Sequence, residues 1–193
     1  MSLDNLALKH GTDKSSVFHN YCGVYERYFD PIRQKPIRLM EFGVDTGSSI
    51  RMWLEYFPNA SIVGCDCVDC KPIEDARYSF YNGFITDPAI WSKVGMCDII
   101  IDDNGHRGDE AIAAINLGFR NINPGGLFIV EDTHTWYNPA FTPKDSLQPM
   151  EFMLSMIDTQ NNFGRGECGD NRADTCETAF IHFWKSLVII GKK

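Results

Sequence analysis

The sequence predicts an α/β fold: one doubly wound sheet, mostly parallel, with helices on both faces and an antiparallel hairpin at its C-terminal end. Three observations carry that expectation. Short apolar runs alternate with amphipathic helical stretches from residue 37 onward. Several of the runs end in an acid or a glycine, followed directly by a helix start. The last two runs lie a residue or so apart, which leaves room for a hairpin but not for a crossover.

Taken in order, "IRLMEF" (37–42) is the first strand and stops at Gly43. "GSSIRMWLEYF" is a helix, because Ile50, Trp53, Leu54 and Phe57 recur at i, i+3, i+4 and i+7. Pro58 and Asn59 end it. "ASIVGCD" (60–66) and the weaker "RYSFYN" (77–82) are strands. "DPAIWSKV" opens a helix with Asp87 as N-cap and Pro88 at its first position. "CDIIID" (97–102) is a strand, and "GDEAIAAINLGFRNI" is a helix that Asp109 is expected to cap. "NPGG" (123–126) reads as a turn and "LFIVED" (127–132) as a strand. An aromatic, Pro-rich loop (136–149), a helix (about 149–160) and a polar loop (161–176) precede the closing pair "TAFIHFW" and "SLVII".

A length of 193 residues suits one domain, residues 1–193, with a helical cap over 1–36 and the sheet core over 37–193. Hydrophobic residues make up 44% of the chain, enough for a substantial core. The net charge of −8 argues against nucleic acid or an anionic membrane as partner. No run is long enough to span a bilayer, and the N-terminus lacks the features of a signal peptide, so a cytoplasmic location is expected. Seven cysteines, an odd number, read as reduced thiols. Cys67 and Cys70 have CxxC spacing, but Cys168 and Cys176 do not supply the second tight pair a structural zinc site needs.

Ligands of such sheets bind beyond the carboxyl ends of the strands. Three constellations fall there. The first is "EFGVDTGSS" (41–49), with Gly43 and Gly47 at a strand-to-helix turn and Asp66 ending the next strand, where an acid can hold a ribose. Asp45 would repel a pyrophosphate but not a ligand with an amino group. The bland alternative is a tight turn and a solvated acid. The second is "IDDNGH", with Asp102, Asp103 and His106; the third is "VEDTH", with Glu131, Asp132 and His134. On neighbouring strands these acids would meet, and a hard divalent cation such as Mg²⁺ would offset their repulsion. His106 could then serve as general base. Solvated or capping acids remain the alternative. His10, His19 and His182 read as packing or surface residues, and Trp136 and Tyr137 as either pocket or core.

Together these motifs resemble class I S-adenosylmethionine-dependent methyltransferases, and in detail the metal-dependent macrolide sugar O-methyltransferases of the mycinamicin and macrocin type. The likeness runs from "HGTDKSSVFHNY" through "PIRLMEFGVDTGSSIRMW", "CDIIIDDNGH" and "PGGLFIVEDTHTWY" to "FWKSLVIIGKK". It implies a Rossmann-like core and an O-methyltransferase acting on a sugar or other polyhydroxylated small molecule. It implies S-adenosylmethionine and Mg²⁺ as cofactors. Glu41, Gly43 and Gly47 would lie under the methionine part and Asp66 at the ribose; Lys14 and Tyr21 would be pocket residues on the cofactor side. Asp103, Glu131 and Asp132 would ligate the metal, His106 would be the base, and His134, Trp136 and Tyr137 would face the acceptor. Two departures stand out. "DDNGH" replaces the family's "DDGSH", and Phe84 stands where an acid usually reads the adenine edge. The rivals are an NAD-type Rossmann oxidoreductase, a non-catalytic metal-binding relative, and a non-haem iron oxygenase using His106, His134 and one acid. A homo-oligomer stays open, without the arrangement of the macrolide enzymes.

Overall fold

The computed structural model describes residues 1–70, 72–161 and 177–193. Seven strands form one sheet: β1 (Arg38–Phe42), β2 (Ser61–Asp66), β3 (Tyr78–Asn82), β4 (Cys97–Asp102), β5 (Ile122–Glu131), β6 (Thr178–Trp184) and β7 (Leu187–Lys192), in the order β3-β2-β1-β4-β5-β7-β6. The first five strands are parallel, and β7 and β6 complete the sheet antiparallel. Among the described residues the α-helices are α1 (Leu3–His10), α2 (Cys22–Phe29), α3 (Ser48–Tyr56), α4 (Pro88–Val94), α5 (Gly108–Gly118) and α6 (Pro149–Asn161).

Side-chain alternation along the strands builds two cores. Leu39, Ile62, Ile99, Ile101, Ile129 and Ile189 face α1, α2 and α3. Met40, Val63, Ile100, Phe128, Val130 and Ile190 face α4, α5 and α6. The same parity sorts the strand-end acids. Glu41 and Glu131 follow Leu39 and Ile129 by two residues, and Asp103 follows Ile101 by two, so all three turn toward α1–α3. Asp102 turns to the other face.

α1 begins at Ser2, whose Oγ accepts from Asn5 N–H at 3.2 Å, and ends at Gly11 in the left-handed conformation (φ +70°). The chain then crosses the carboxyl edge of the sheet before α2. An aromatic cluster locks α2 to α3: Tyr25 lies 5.6 Å from Trp53 and Phe29 5.7 Å, centroid to centroid. Trp53 is fully buried and its indole N–H donates to Glu41 at 3.1 Å. Trp53→Ala is therefore expected to cost ~3–5 kcal/mol, read by denaturant unfolding.

Two local expectations change and one holds. Asp87 does cap α4, accepting from Ala89 N–H at 2.8 Å. Asp109, however, lies inside α5 and pairs with Arg107 at 3.0 Å; Arg107 occupies the N-cap position. "NPGG" is not a free turn but lies within β5, with Gly125 at φ +77° beside a register shift against β4. The polar loop, with Cys168 and Cys176, lies outside the described residues apart from Asn161, the last residue of α6.

Candidate active site

The turn after β1 owes its shape to two glycines and one acid. Gly43 has φ +89°, and a Cβ there would stand 1.9 Å from the carbonyl oxygen of Asp103, so only glycine lets the β1 and β4 ends approach this closely. Gly47, at φ +77°, precedes α3. Asp66 Oδ2 accepts from the N–H groups of Val44 (2.9 Å) and Asp45 (3.1 Å), and Oδ1 from Val68 N–H at 3.1 Å. Partial burial works to raise the Asp66 pKa, but these backbone donors outweigh it and hold the carboxyl below the ordinary range. Over this turn lies a cavity of about 460 Å³, a size that suits a nucleoside-like ligand. Its lining includes Asp13, Asp45, Asp66 and Asp103, and no Lys or Arg among the described residues.

Beside it, on the α1–α3 face, Lys14 carries a fully buried ammonium into three carboxylates. Its Nζ donates to Asp103 and to Glu131 Oε2 (2.9 Å), and lies 3.3 Å from Glu41 Oε1. Burial alone would lower the Lys14 pKa, but Asp103, Glu131 and Glu41 raise it well above the ordinary value. Burial likewise pushes Glu41 up to about 7, against the opposing pull of Lys14. Tyr25 donates to Glu131, while Ser49 (2.9 Å) and Trp53 hold Glu41 Oε2. Asp102, on the opposite face, is pushed to about 7 by burial and accepts from Asn104 N–H at 3.4 Å.

Asp132 is the hub of the acceptor side. It is 5% exposed and accepts from Tyr21 OH at 2.7 Å. Three imidazoles surround it: His19 Nδ1 at 3.4 Å, His106 Nδ1 at 3.5 Å and His134 Nδ1 at 3.7 Å. A second cavity, of about 520 Å³, opens here between His19, His106, His134 and Tyr137. The two cavities share Asp13 and His106 in their walls. Among the described residues, five non-glycine positions have positive φ: Asn20, Asp45, His106, Asp132 and Ser186. Each belongs to or adjoins these networks, a concentration of backbone strain at one place. The left-handed residue of "DDNGH" is His106 itself (φ +57°), while Gly105 has no positive φ.

The site residues inferred from sequence are distributed as follows. Gly43, Asp66, Asp103 and His106 line the first cavity. Glu41 lies beneath it, fully buried, and Lys14 and Tyr21 sit at the acid cluster beside it. Phe84 is 65% exposed and outside the cavity lining. Two groups of potential ligands converge to within 4.8 Å: Asp103 with His106 and Asp132, and Glu41 with Asp103 and Glu131, the second already holding the Lys14 ammonium. Asp103 is common to both. His134 and Tyr137 line the second cavity, whereas Trp136 is buried in the α4–α6 core. Sequence reasoning missed Asp13 at the shared wall and placed His19 at the surface or in packing, although its ring stands against Asp132. The only signal for either was proximity in sequence to Lys14 and Tyr21.

No family model matches the chain. The fold is that of class I S-adenosylmethionine-dependent methyltransferases: MycE, the methyltransferase of the mycinamycin pathway solved with Mg and SAH, superposes with a TM-score of 0.88 at 26% identity, over 100% of this chain and 54% of that one. In sequence the chain is similar to sugar O-methyltransferases. It is 34% identical over 207 residues to the 8-demethyl-8-alpha-L-rhamnosyl tetracenomycin-C 2'-O-methyltransferase of Streptomyces olivaceus, covering 99% of this chain and 54% of the relative. It is 30% identical over 150 residues to the mycinamicin VI 2''-O-methyltransferase of Micromonospora griseorubida, covering 72% of this chain and 38% of the relative. The chain thus spans about half the length, or less, of these relatives. Among the described residues, no helix is long and apolar enough to cross a membrane.

Proposed function

We propose that the chain is an S-adenosylmethionine- and Mg²⁺-dependent O-methyltransferase acting on a hydroxyl of a sugar or other polyhydroxylated small molecule. The observation that carries this reading is the charge of the first cavity. Four acids line it, and no described lining residue is a lysine or an arginine. A dinucleotide pyrophosphate would be repelled there; a ligand bearing a sulfonium and an ammonium group would be attracted. The relatives' activity on sugar hydroxyls and the bound Mg and SAH of MycE point the same way.

The oxygen-rich donor set suits a hard divalent cation. Asp103, Glu131 and Asp132 would hold it, with Asp103 and Asp132 already converging at the wall between the cavities. Bound there, Mg²⁺ would lower the pKa of an acceptor hydroxyl. His106, left free by a metal that prefers oxygen, takes the hydroxyl proton. Asp132 Oδ2, 3.5 Å from His106 Nδ1, orients the ring and stabilises the imidazolium. The second cavity would hold the acceptor with its hydroxyl toward His106, and the cofactor in the first cavity would supply a sulfonium-bound methyl group, leaving as S-adenosylhomocysteine once the methyl is transferred.

Calorimetry tests the reading. S-adenosylhomocysteine is expected to bind and NADH is not; Mg²⁺ is expected to bind wild type and to be weakened at least ~10–100-fold in Asp103→Ala. Binding of NADH without S-adenosylhomocysteine would make the chain an oxidoreductase instead.

A further inference from the structure

We propose that Lys14 is the resident cation of the inner carboxylate group, a positioning residue that fills it so that the site takes one divalent ion where its acids alone would take two. The proposal rests on the metal-dependent reading above. Glu41, Asp103 and Glu131 bring ligand atoms within 4.8 Å of one another, the spacing of a metal site. Three carboxyl groups meet a single ammonium. An ammonium has three N–H donors and faces three carboxylates, so one lysine reaches all of them. The match is incomplete: Glu41 is fully buried, yet its Oε1 makes no hydrogen bond, although it points at the ammonium from 3.3 Å. A buried carboxylate oxygen with no donor marks a group built for more positive charge than Lys14 supplies.

The outer group, where Asp103 and Asp132 converge beside His106, shares Asp103 but has no ammonium in it among the described residues. It borders both cavities, where an acceptor can reach it; the inner group borders neither through Glu41. Lys14 thereby sends the exchangeable ion to the side where it can meet a substrate, and fixes Asp103 and Glu131 in place before that ion arrives. Tyr25 on Glu131, and Ser49 and Trp53 on Glu41, complete the same frame.

Mn²⁺ stoichiometry, by electron paramagnetic resonance of the free ion and by calorimetry, tests this on the full chain. Wild type and Lys14→Arg are expected to bind one ion, and Lys14→Met two. A folded Lys14→Met that binds no more ions than wild type overturns the proposal. Should Lys14→Met be unfolded without metal, the double variant Lys14→Met/Glu41→Gln decides, because it removes one charge of each sign. It is expected to fold and bind one ion; failure to fold, or two ions, overturns the proposal. If wild type binds none while Lys14→Met binds one, the metal-dependent mechanism fails and the role of Lys14 stands.

Discussion

His106→Ala is expected to lower kcat on an accepted substrate by ~10²–10⁴-fold, the usual contribution of a positioned general base, while Mg²⁺ and S-adenosylhomocysteine still bind nearly as in wild type. The split follows from where the ring stands. His106 forms part of the wall common to both cavities, so its imidazole meets the acceptor side without being buried in the acid cluster. Its side chain is 32% exposed, and its Nδ1 lies 3.5 Å from Asp132. Removing the ring leaves Asp103, Glu131 and Lys14 in their mutual contacts and leaves the glycine turn untouched. Steady-state kinetics beside calorimetry reads both halves. Full turnover in the variant would remove His106 from the mechanism.

The second large effect is expected at Gly43. Alanine there would place its Cβ 1.9 Å from a backbone oxygen, and at φ +89°. Neither problem can be relieved by a rotamer change, because the obstacle is the main chain of Asp103 at the end of β4. Gly43→Ala should therefore destabilise the fold by several kcal/mol, beyond the ~1–2 kcal/mol that an unfavourable φ costs alone, and abolish S-adenosylhomocysteine binding. Gly125→Ala is the matched control. It too has positive φ, +77°, but nothing lies within 4 Å of the added atom, so only the conformational cost should appear. Denaturant unfolding of the two variants separates clash from backbone strain.

The strand ends were legible because a buried strand ending in an acid leaves a double signature, an apolar run and then a charge. That sufficed for Asp66, Asp103, Glu131 and Asp132. Parity could have gone further: counting in twos from Leu39, Ile101 and Ile129 puts Glu41, Asp103 and Glu131 on one face and Asp102 on the other. Lys14 was not legible as a buried cation. It sits in the polar run "GTDKSS", where nothing local favours burial; its partners come from residues 41, 103 and 131. His19 was hidden for the same reason. Asp109 looked like a cap because acids before helices usually are, but Arg107 holds its carboxylate. "NPGG" looked like a turn because glycine and proline punctuate chains, and here the irregularity is absorbed within a strand.

The contacts of Lys14, Tyr21 and Tyr25 also set the order in which the protein can become active. Lys14 meets Glu131 across 117 positions, Tyr25 meets it across 106, and Tyr21 meets the carbonyl of Ser186 across 165. The early segment emerges from the ribosome long before its partners exist, and contacts so distant in sequence are slow to form. A nascent chain with its first strands paired has a glycine turn but no acid cluster and no hub at Asp132. The site therefore draws on residues from the first helices to the β6–β7 turn, and no single segment of the chain carries all of it.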